Sequence, residues 1–477
     1  MEQRSWAPLW AALGGDPALP ERVRHIRRGG AAGLLPARLP VAELARSAVA
    51  VCALAAAEWA ACRTGGAVPA VTVDDGAVAT AFTSERHLRI DGRPASVFAP
   101  LSRFWRTGDG RLRTHANYPH HRARLLAALG VPGSAAGADG DGDGPVEAVA
   151  AELAHRRAEE VEELVCGAGG LAVAVRTPGQ WAAHPQGAAV AGLPLVGHGR
   201  LDGAPPPPAP PGGDGGPRVL DLTRVIAGPV ATRTLALLGA DVLRIDAPHL
   251  PESADAHADT GFGKRSAPLD LGSPFGRRTF EELLAAADVV VTGYRPGALD
   301  RFGLAAGELA ARRPGLVVAE LSAWGGAGTG PWGGRRGFDS LVQAASGIAV
   351  AEAGPDGVPG VLPAQALDHG TGYLLAAAVL RSLTDRRRYG GTHRVRLSLA
   401  RTAHWLLHEL PERTPGSESG PGPADAPGGH DPAPWLAGTG SPLGRLRHAL
   451  PPVEYEGGPR TWARPPGLPG ADEPVWR

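Results

Sequence analysis

Short apolar runs alternate with longer apolar or amphipathic stretches over residues 218–410 of the chain. The pattern predicts strands at 218–222, 241–245, 288–291 and 316–321. Helices are predicted between the strands, one at 230–238 and another opened by Ser273 and Pro274, a common N-cap and first-residue pair. Such alternation is typical of a parallel sheet covered by helices. The predicted fold class is therefore α/β: a Rossmann-like parallel sheet domain with helices on both faces, plus a smaller α+β domain.

Two helices are predicted in the less regular N-terminal part. Residues 147–166 predict one amphipathic helix, because their charges recur at helical spacing. The charges on its shared face are Glu152, Arg156, Glu159 and Glu163. Half of residues 47–62 are alanine, and Glu58 interrupts the stretch. A membrane span needs about 20 strongly apolar residues, so this stretch is predicted to be a buried helix and no membrane partner is expected.

Segments rich in glycine, proline and small polar residues divide the chain. They predict loops and linkers because they bury little apolar surface. One of them, 133–145, predicts a surface loop inside the N-terminal part. The predicted organisation is an N-terminal region at 1–201, a Pro/Gly linker at 202–217, a core at 218–410, a disordered linker at 411–434 and a C-terminal tail at 435–477 that returns to the core.

Composition argues against several kinds of partner. Lys+Arg and Asp+Glu number 48 each, so no global field favours nucleic acid, and any anionic ligand must be held by local groups. The cysteines, Cys52, Cys62 and Cys166, are an odd set without metal-type spacing, which fits a reducing compartment. The N-terminus lacks an apolar core of signal-peptide type. We therefore expect a soluble, cytoplasmic protein.

Three loops are candidates for binding, because ligands of such sheets bind at the carboxyl ends of strands. The loop after Leu222, TRVIAGP, leads into a helix whose backbone N–H groups could meet an anion. The loop after Val291, GYRPGALDRFG, places an aromatic ring beside arginines, which suits a planar base with phosphates. The loop after Leu321 is glycine-rich and ends in two arginines. Each pattern also occurs in ordinary turns.

Asp368 stands where a long helix rich in alanine and leucine begins. An aspartate there is often an N-cap, worth about 1 kcal/mol. A helix N-terminus also stabilises a carboxylate anion, which would keep Asp368 ionised and ready to attack a thioester carbonyl. The residues by themselves leave both interpretations open.

These segments, in this order, resemble the family III CoA-transferases of the CaiB/BaiF superfamily, of formyl-CoA transferase and carnitine CoA-transferase type. The matching blocks are RVLDLTRVIAGPVATRTLALLGADVLRID, GKRSAPLDL, ADVVVTGYRPGALDRFGL, GFDSLVQAASG and LDHGTGYLLAAAVLRSL. The resemblance implies an enzyme that moves CoA from an acyl-CoA donor to a carboxylic acid acceptor. It implies CoA and acyl-CoA as substrates, no permanently bound cofactor, and a homodimer.

The resemblance also implies roles for individual residues. Asp368 aligns with the nucleophile that forms an acyl-aspartyl anhydride and then an aspartyl-CoA thioester. The implied CoA contacts are Arg224, Val225, Ile226, Ala227, Lys264, Tyr294, Arg295, Arg301 and Arg336. Lys264, the only lysine of the chain, is thereby expected near a CoA phosphate.

The chain departs from the family pattern in the order of its parts. Segments that look like the family's small domain, 104–130 and 169–187, lie upstream of the core, so the two halves are in swapped order. Gly293 also replaces an asparagine-like residue of the family. These departures keep a non-catalytic acyl-CoA-binding paralogue open as an alternative.

An acyl-CoA racemase of the same superfamily is the other alternative. Its histidine–aspartate pair includes the motif Gly-His-Asp, which here is Gly337, Phe338 and Asp339. Phenylalanine cannot accept a proton, so two-base chemistry lacks one base and the transferase is preferred. No metal is predicted, because the histidines at 115, 120, 121, 404 and 408 lack a nearby set of Cys, Asp or Glu ligands.

Overall fold

The computed structural model describes residues 5–28, 34–96, 98–132, 144–207, 215–411 and 430–477. Most of the loop predicted at 133–145 and of the linker predicted at 411–434 lies outside the described residues, as does the middle of the linker at 202–217.

Helices and strands are numbered in chain order through the described ranges. Strands β1 to β17 are Val23–Ile26, Val71–Asp74, Arg89–Ile90, Arg93–Pro94, Phe104–Arg106, Arg111–Thr114, Ala172–Ala174, Gly197–Arg200, Arg218–Leu222, Asp241–Asp246, Arg265–Pro268, Val289–Thr292, Val317–Ser322, His393–Ser398, Leu436–Ser441, Gly444–Ala449 and Glu454–Tyr455. Helices α1 to α17 are Trp6–Ala12, Val41–Thr64, Asp75–Phe82, Ser84–His87, Pro119–Leu129, Gly144–Leu153, Ala158–Gly167, Pro178–Ala183, Pro185–Ala191, Ala227–Leu237, Ala254–Thr260, Pro274–Ala285, Ala306–Arg312, Asp339–Ser346, Ile348–Ala351, Ala366–Tyr389 and Leu399–His408.

A seven-stranded sheet organises the fold, with strand order β11-β10-β9-β12-β13-β14-β8. Strands β9 to β14 run parallel to their neighbours, whereas the edge strand β8 pairs antiparallel with β14. The predicted α/β class is confirmed, and the predicted strands lie within a residue or two of β9, β10, β12 and β13. Ser273 caps α12 as predicted, since its hydroxyl accepts the N–H of Gly276. The N-terminal region thus contributes an edge strand to the core sheet.

The single helix predicted at 147–166 is wrong, because α6 ends at Leu153 and α7 begins at Ala158. The Asp109 carboxylate accepts the backbone N–H of Ala158 at 2.8 Å. This contact comes from a distant turn and gives α7 its own N-terminal partner. A long-range hydrogen bond therefore interrupts a charge pattern that is periodic in the sequence.

Helix α16 lies at the centre of the protein between α2 and α10, and nearly all of its first twenty residues are buried. Helix α2 contains the stretch 47–62, whose prediction as a buried helix is confirmed. By length and composition α2 alone among the described helices could cross a membrane, and 89% of its most apolar window is buried inside the protein. Its Glu58 pairs with Arg381 of α16, and both side chains are 3% exposed.

The C-terminal residues pack along the far edge of the main sheet. Strand β17 pairs with β2 of the N-terminal region. The Trp462 indole donates to the carbonyl of Arg233, and the Trp476 indole donates to that of Leu283. Residues beyond 430 thus contact both the N-terminal region and the core.

Gly372 allows α10 to approach α16 one turn after Asp368. A Cβ at this position would lie 2.6 Å from the carbonyl oxygen of Ala227 and 3.0 Å from the Val230 side chain. Real Cβ atoms do not approach a backbone oxygen this closely, so the two helices would have to separate. The first turn of α10 therefore depends on a missing side chain in α16.

We expect Gly372→Ala to lower the free energy of unfolding by about 1–3 kcal/mol, the usual effect of overpacking. Urea unfolding measures the difference. Gly370→Ala in the same helix is the matched control, because its Cβ would meet the end of the Leu44 side chain at 2.6 Å and that side chain can move. Equal losses in the two variants would contradict the expected role of the Ala227 carbonyl.

Candidate active site

A cavity of about 510 Å³ lies at the carboxyl ends of β9, β12 and β13. The loops that follow these three strands line it, and they are the loops after Leu222, Val291 and Leu321 that were candidates for binding. Asp368 lines the same cavity. The carboxyl group and the arginine-bearing turns therefore face one shared space.

Most of the residues expected to contact CoA line this cavity. They are Arg224, Val225, Ala227, Tyr294, Arg295, Arg301 and Arg336. Ile226 is not among the lining residues; its partly buried side chain packs against the main hydrophobic core instead. A turn that exposes its neighbours to the cavity directs this residue inward.

Lys264 requires a correction, because the structure places it inside the domain and not along the cavity. Its ammonium lies 3.1 Å from an Asp221 carboxylate oxygen and donates to the carbonyl of Pro229 at 3.0 Å. Burial lowers the pKa of Lys264 to about 8. Burial would raise the pKa of Asp221, but Lys264 and two threonine hydroxyls outweigh it and hold that pKa below its usual value. The lone lysine thus neutralises a buried carboxylate.

The N-terminal region supplies a wall of the cavity. Its lining residues are Tyr118, His120, His121 and Arg124, at and just after the start of α5. In the sequence this stretch is distinguished only by its cluster of histidines, within a segment that resembles the family's small domain. Nothing in the local pattern indicates that it faces Asp368, because that placement depends on packing between distant parts of the chain.

Positive charge dominates the cavity wall. The lining arginines are Arg124, Arg224, Arg295, Arg301, Arg335 and Arg336, against the carboxyl groups of Asp270 and Asp368. Within the described ranges, Arg295 and Arg336 form no ion pair with a carboxylate. Burial, Arg295 and Arg124 together lower the pKa of Arg336. An anionic ligand would relieve this crowding of like charges.

Asp368 is the third residue of α16, and Gln365 occupies the N-cap position. The capping interpretation is therefore wrong. The residue is 6% exposed, and burial, Asp339 and Glu85 raise the pKa of its carboxyl well above the usual value. The expectation that the helix N-terminus keeps it ionised is also wrong in direction, because burial and two nearby carboxyl groups outweigh the helix dipole.

Asp339, the first residue of α14, provides the cap that Asp368 does not. Its carboxylate accepts the backbone N–H of Asp368 at 2.9 Å and a hydrogen bond from the Gln343 amide. Burial raises the pKa of Asp339 to about 6, although these donors and the Leu367 N–H lower it. The supporting role of Asp339 was not predicted from the sequence, where the residue stands out only as part of the racemase-type motif at 337–339.

Phe338 stacks on a histidine from the N-terminal region. The rings of Phe338 and His115 lie parallel with centroids 3.9 Å apart. Burial lowers the pKa of His115 and of His121 to about 3. Both imidazoles are therefore neutral and weakly basic near pH 7. Among the described residues, no group of three or more His, Cys, Asp or Glu side chains could hold a metal ion.

The part of the chain that forms most of the cavity is similar to known proteins. The model of CoA-transferase family III matches residues 215–433. A probable fatty acyl-CoA transferase of Mycobacterium tuberculosis is 36% identical over 186 residues, covering 36% of this chain and 47% of that protein. A formyl-CoA:oxalate CoA-transferase of Streptomyces coelicolor is 30% identical over 289 residues, covering 55% of this chain and 68% of that enzyme.

A Mycobacterium tuberculosis protein of known crystal structure has 34% sequence identity to this chain. The superposition covers 42% of this chain and 59% of that chain, with a TM-score of 0.38. The chain spans about half the length of the M. tuberculosis transferase, 47%, and 68% of the Streptomyces enzyme. Because the family model matches the core and the similarity to the Streptomyces enzyme extends over two thirds of that enzyme, the chain belongs to CoA-transferase family III.

Proposed function

We propose that the protein is a CoA-transferase that moves CoA from an acyl-CoA donor to a carboxylic acid acceptor. One observation carries the proposal: the Asp368 carboxyl and the arginine-rich turns line the same cavity. A transferase with an aspartate nucleophile needs this arrangement, because the phosphates must be held while the thioester reaches the carboxyl group.

The cavity suits the two ends of an acyl-CoA. Arg295 and Arg336, which have no carboxylate partner among the described residues, favour phosphate, and Tyr294 offers a ring for a planar base. The similar proteins of M. tuberculosis and S. coelicolor are a probable fatty acyl-CoA transferase and a formyl-CoA:oxalate CoA-transferase, which supports an acyl-CoA substrate here. CoA is in this proposal a substrate and not a resident cofactor.

Asp368 would act by covalent catalysis. Its carboxylate attacks the thioester carbonyl, and the C–S bond breaks to give an acyl-aspartyl anhydride and CoA thiolate. The thiolate attacks the aspartyl carbonyl, which releases the donor acid and leaves an aspartyl-CoA thioester. The acceptor carboxylate then attacks the aspartyl-CoA thioester, and the C–S bond breaks to give a second anhydride and CoA thiolate. The thiolate attacks the acceptor's carbonyl, which forms the new acyl-CoA and frees the Asp368 carboxylate. A raised pKa makes the ionised form of Asp368 more nucleophilic, while its proton must leave before attack.

Intact-mass analysis with a panel of acyl-CoAs tests the proposal. The wild type is expected to gain the mass of an acyl group or of CoA, and Asp368→Ala is expected to gain neither. Hydroxylamine should remove the adduct, since it cleaves anhydrides and thioesters. An adduct on both proteins would move the nucleophile elsewhere, and no adduct on either, with CoA still bound, would favour the non-catalytic paralogue.

The racemase alternative has one observation in its favour, since His121 lines the cavity with Asp368. A pKa of about 3 for His121 makes it a poor base at neutral pH, so the transferase is preferred. Exchange of the acyl-CoA α-proton in deuterium oxide would favour the racemase.

A homodimer and a cytoplasmic location complete the proposal. The free cysteines, Cys52, Cys62 and Cys166, support a reducing location, and the family supports the dimer. Light scattering coupled to size exclusion measures the oligomeric state.

A further inference from the structure

Val225 has a backbone conformation that its side chain disfavours. Its φ is +70°, in the left-handed region that β-branched residues rarely adopt. The residue lines the cavity between Arg224 and the start of α10. A strained residue persists only where its surroundings hold it, so specific contacts must keep this turn in place.

Glu252 supplies the contact that holds the turn. One carboxylate oxygen of this 3%-exposed side chain accepts the backbone N–H of Val225 at 2.9 Å. The other oxygen accepts the Tyr118 hydroxyl at 2.7 Å. Burial would raise the pKa of Glu252, but Arg224, Arg244 and these hydrogen bonds outweigh it and lower the pKa. The carboxylate is therefore charged, and both of its oxygens are used.

Tyr118 ties this contact to the N-terminal region. Its ring lies under the guanidinium of Arg224, with the Arg224 carbon 4.6 Å from the ring centroid. The Arg224 Nε lies 3.5 Å from Glu252, and Arg224 also donates to the Pro251 carbonyl. The buried Glu252 carboxylate thus holds the turn at Val225 and, together with Tyr118, positions the Arg224 side chain. Val225, Tyr118 and Arg224 all line the cavity.

We propose that Glu252 is a positioning residue for acyl-CoA binding: tethered by Tyr118, it holds Val225 in its left-handed conformation and thereby shapes the wall of the Asp368 cavity. We call the contacts of Glu252 with Val225 and Tyr118 the clamp. The inference rests on the proposed function for its ligand, but the clamp itself can be tested without CoA. Neither Glu252 nor Tyr118 is among the CoA contacts that the family resemblance implies.

Glu252→Gln tests the clamp while keeping the size of the side chain. The amide is uncharged, so its oxygen can still accept the Val225 N–H but without the negative charge that Arg224 and Arg244 stabilise. Its NH2 group can only donate to the Tyr118 hydroxyl and cannot accept the Ser253 N–H. We expect KM for acyl-CoA to rise about tenfold with a smaller change in kcat, the effect of losing one charge-assisted hydrogen bond that shapes binding. Amide exchange of residues 223–229, measured without ligand, should also become about tenfold faster.

Val225→Gly provides the decisive comparison, because glycine adopts positive φ without strain. In the Val225→Gly background the added effect of Glu252→Gln on KM and on amide exchange should fall to less than about threefold. Equal effects of Glu252→Gln in both backgrounds would overturn the proposal. This rescue distinguishes positioning of the turn from a general structural role.

Asp255→Asn is the matched control. This carboxylate, three residues further on, also joins the core to the N-terminal region, through Arg93 at 2.7 Å and the Ser96 N–H at 2.8 Å, but it does not line the cavity. KM and exchange of 223–229 should be unchanged in this variant. If they change as in Glu252→Gln, the clamp is overturned. If wild type binds no CoA while exchange follows the expected pattern, the proposed function fails and the clamp stands.

Discussion

Asp368→Asn is expected to lower kcat by a thousandfold or more, on the order of the loss seen when a covalent nucleophile is removed. An asparagine amide cannot form the anhydride, so neither half of the exchange can proceed. Steady-state transfer between an acyl-CoA and a free acid measures the loss. Binding of CoA should be nearly unchanged, because the arginines that line the cavity are untouched.

The same substitution is expected to stabilise the fold at neutral pH. Burial, Asp339 and Glu85 raise the pKa of Asp368 in the folded state, so the folded protein holds this proton more tightly than the unfolded chain. The stability of the wild type therefore falls as pH rises from about 4, the unfolded pKa, through the raised folded pKa. Asp368→Asn removes this fall.

Urea unfolding at pH 5 and pH 8 tests the sign. The difference in stability between Asp368→Asn and wild type should be more favourable to the variant at pH 8. Asp339→Asn is the comparison, since the pKa of Asp339 is raised to about 6 and gives the same sign, but its loss also removes the cap on Asp368. A variant less stable than wild type at pH 8 would show that the Asp368 carboxylate is stabilised by groups beyond those described here.

Lys264→Met is expected to lower the free energy of unfolding by about 3–5 kcal/mol, the usual effect of leaving a buried charge without its partner. The Lys264 and Asp221 side chains are 2% and 0% exposed. Methionine fills a similar volume but cannot neutralise Asp221. Chemical denaturation measures the loss.

A double substitution separates this role from phosphate binding. Asp221→Asn combined with Lys264→Met removes both charges and should recover most of the lost stability. The Kd for CoA should stay within about twofold of wild type in the folded double variant, because Lys264 does not line the cavity. A tenfold weaker Kd with restored stability would instead support the phosphate contact that the family resemblance implies.

The sheet could be predicted from the sequence because buried parallel strands appear as short apolar runs. The boundary of α10 could not, since it begins at Ala227 and not at the predicted residue 230. Gly228 and Pro229 suggest a break, yet a proline in the first helical turn loses no hydrogen bond, because its N–H has no partner there. Local sequence patterns therefore predict that α10 exists, but they place its first residue three positions too late.

Some residues of the candidate site could be predicted from local sequence and others could not. Asp368 and the arginine-bearing loops could be predicted, because each follows a strand or opens a helix within one contiguous stretch. Tyr118 and Glu252 lie 134 positions apart and meet through their side chains, which no local pattern indicates. Lys264 was misplaced because a motif gives the order of residues but not the side of the sheet on which a side chain is buried.

The central position of α16 also has a consequence for synthesis on the ribosome. Helix α2 ends at Thr64 and α16 begins at Ala366, so residues 65–365 are translated between them. At about 5–20 residues per second this interval lasts roughly 15–60 s. During that time the nascent chain carries a long alanine-rich segment whose main packing partner, α16, has not yet been made.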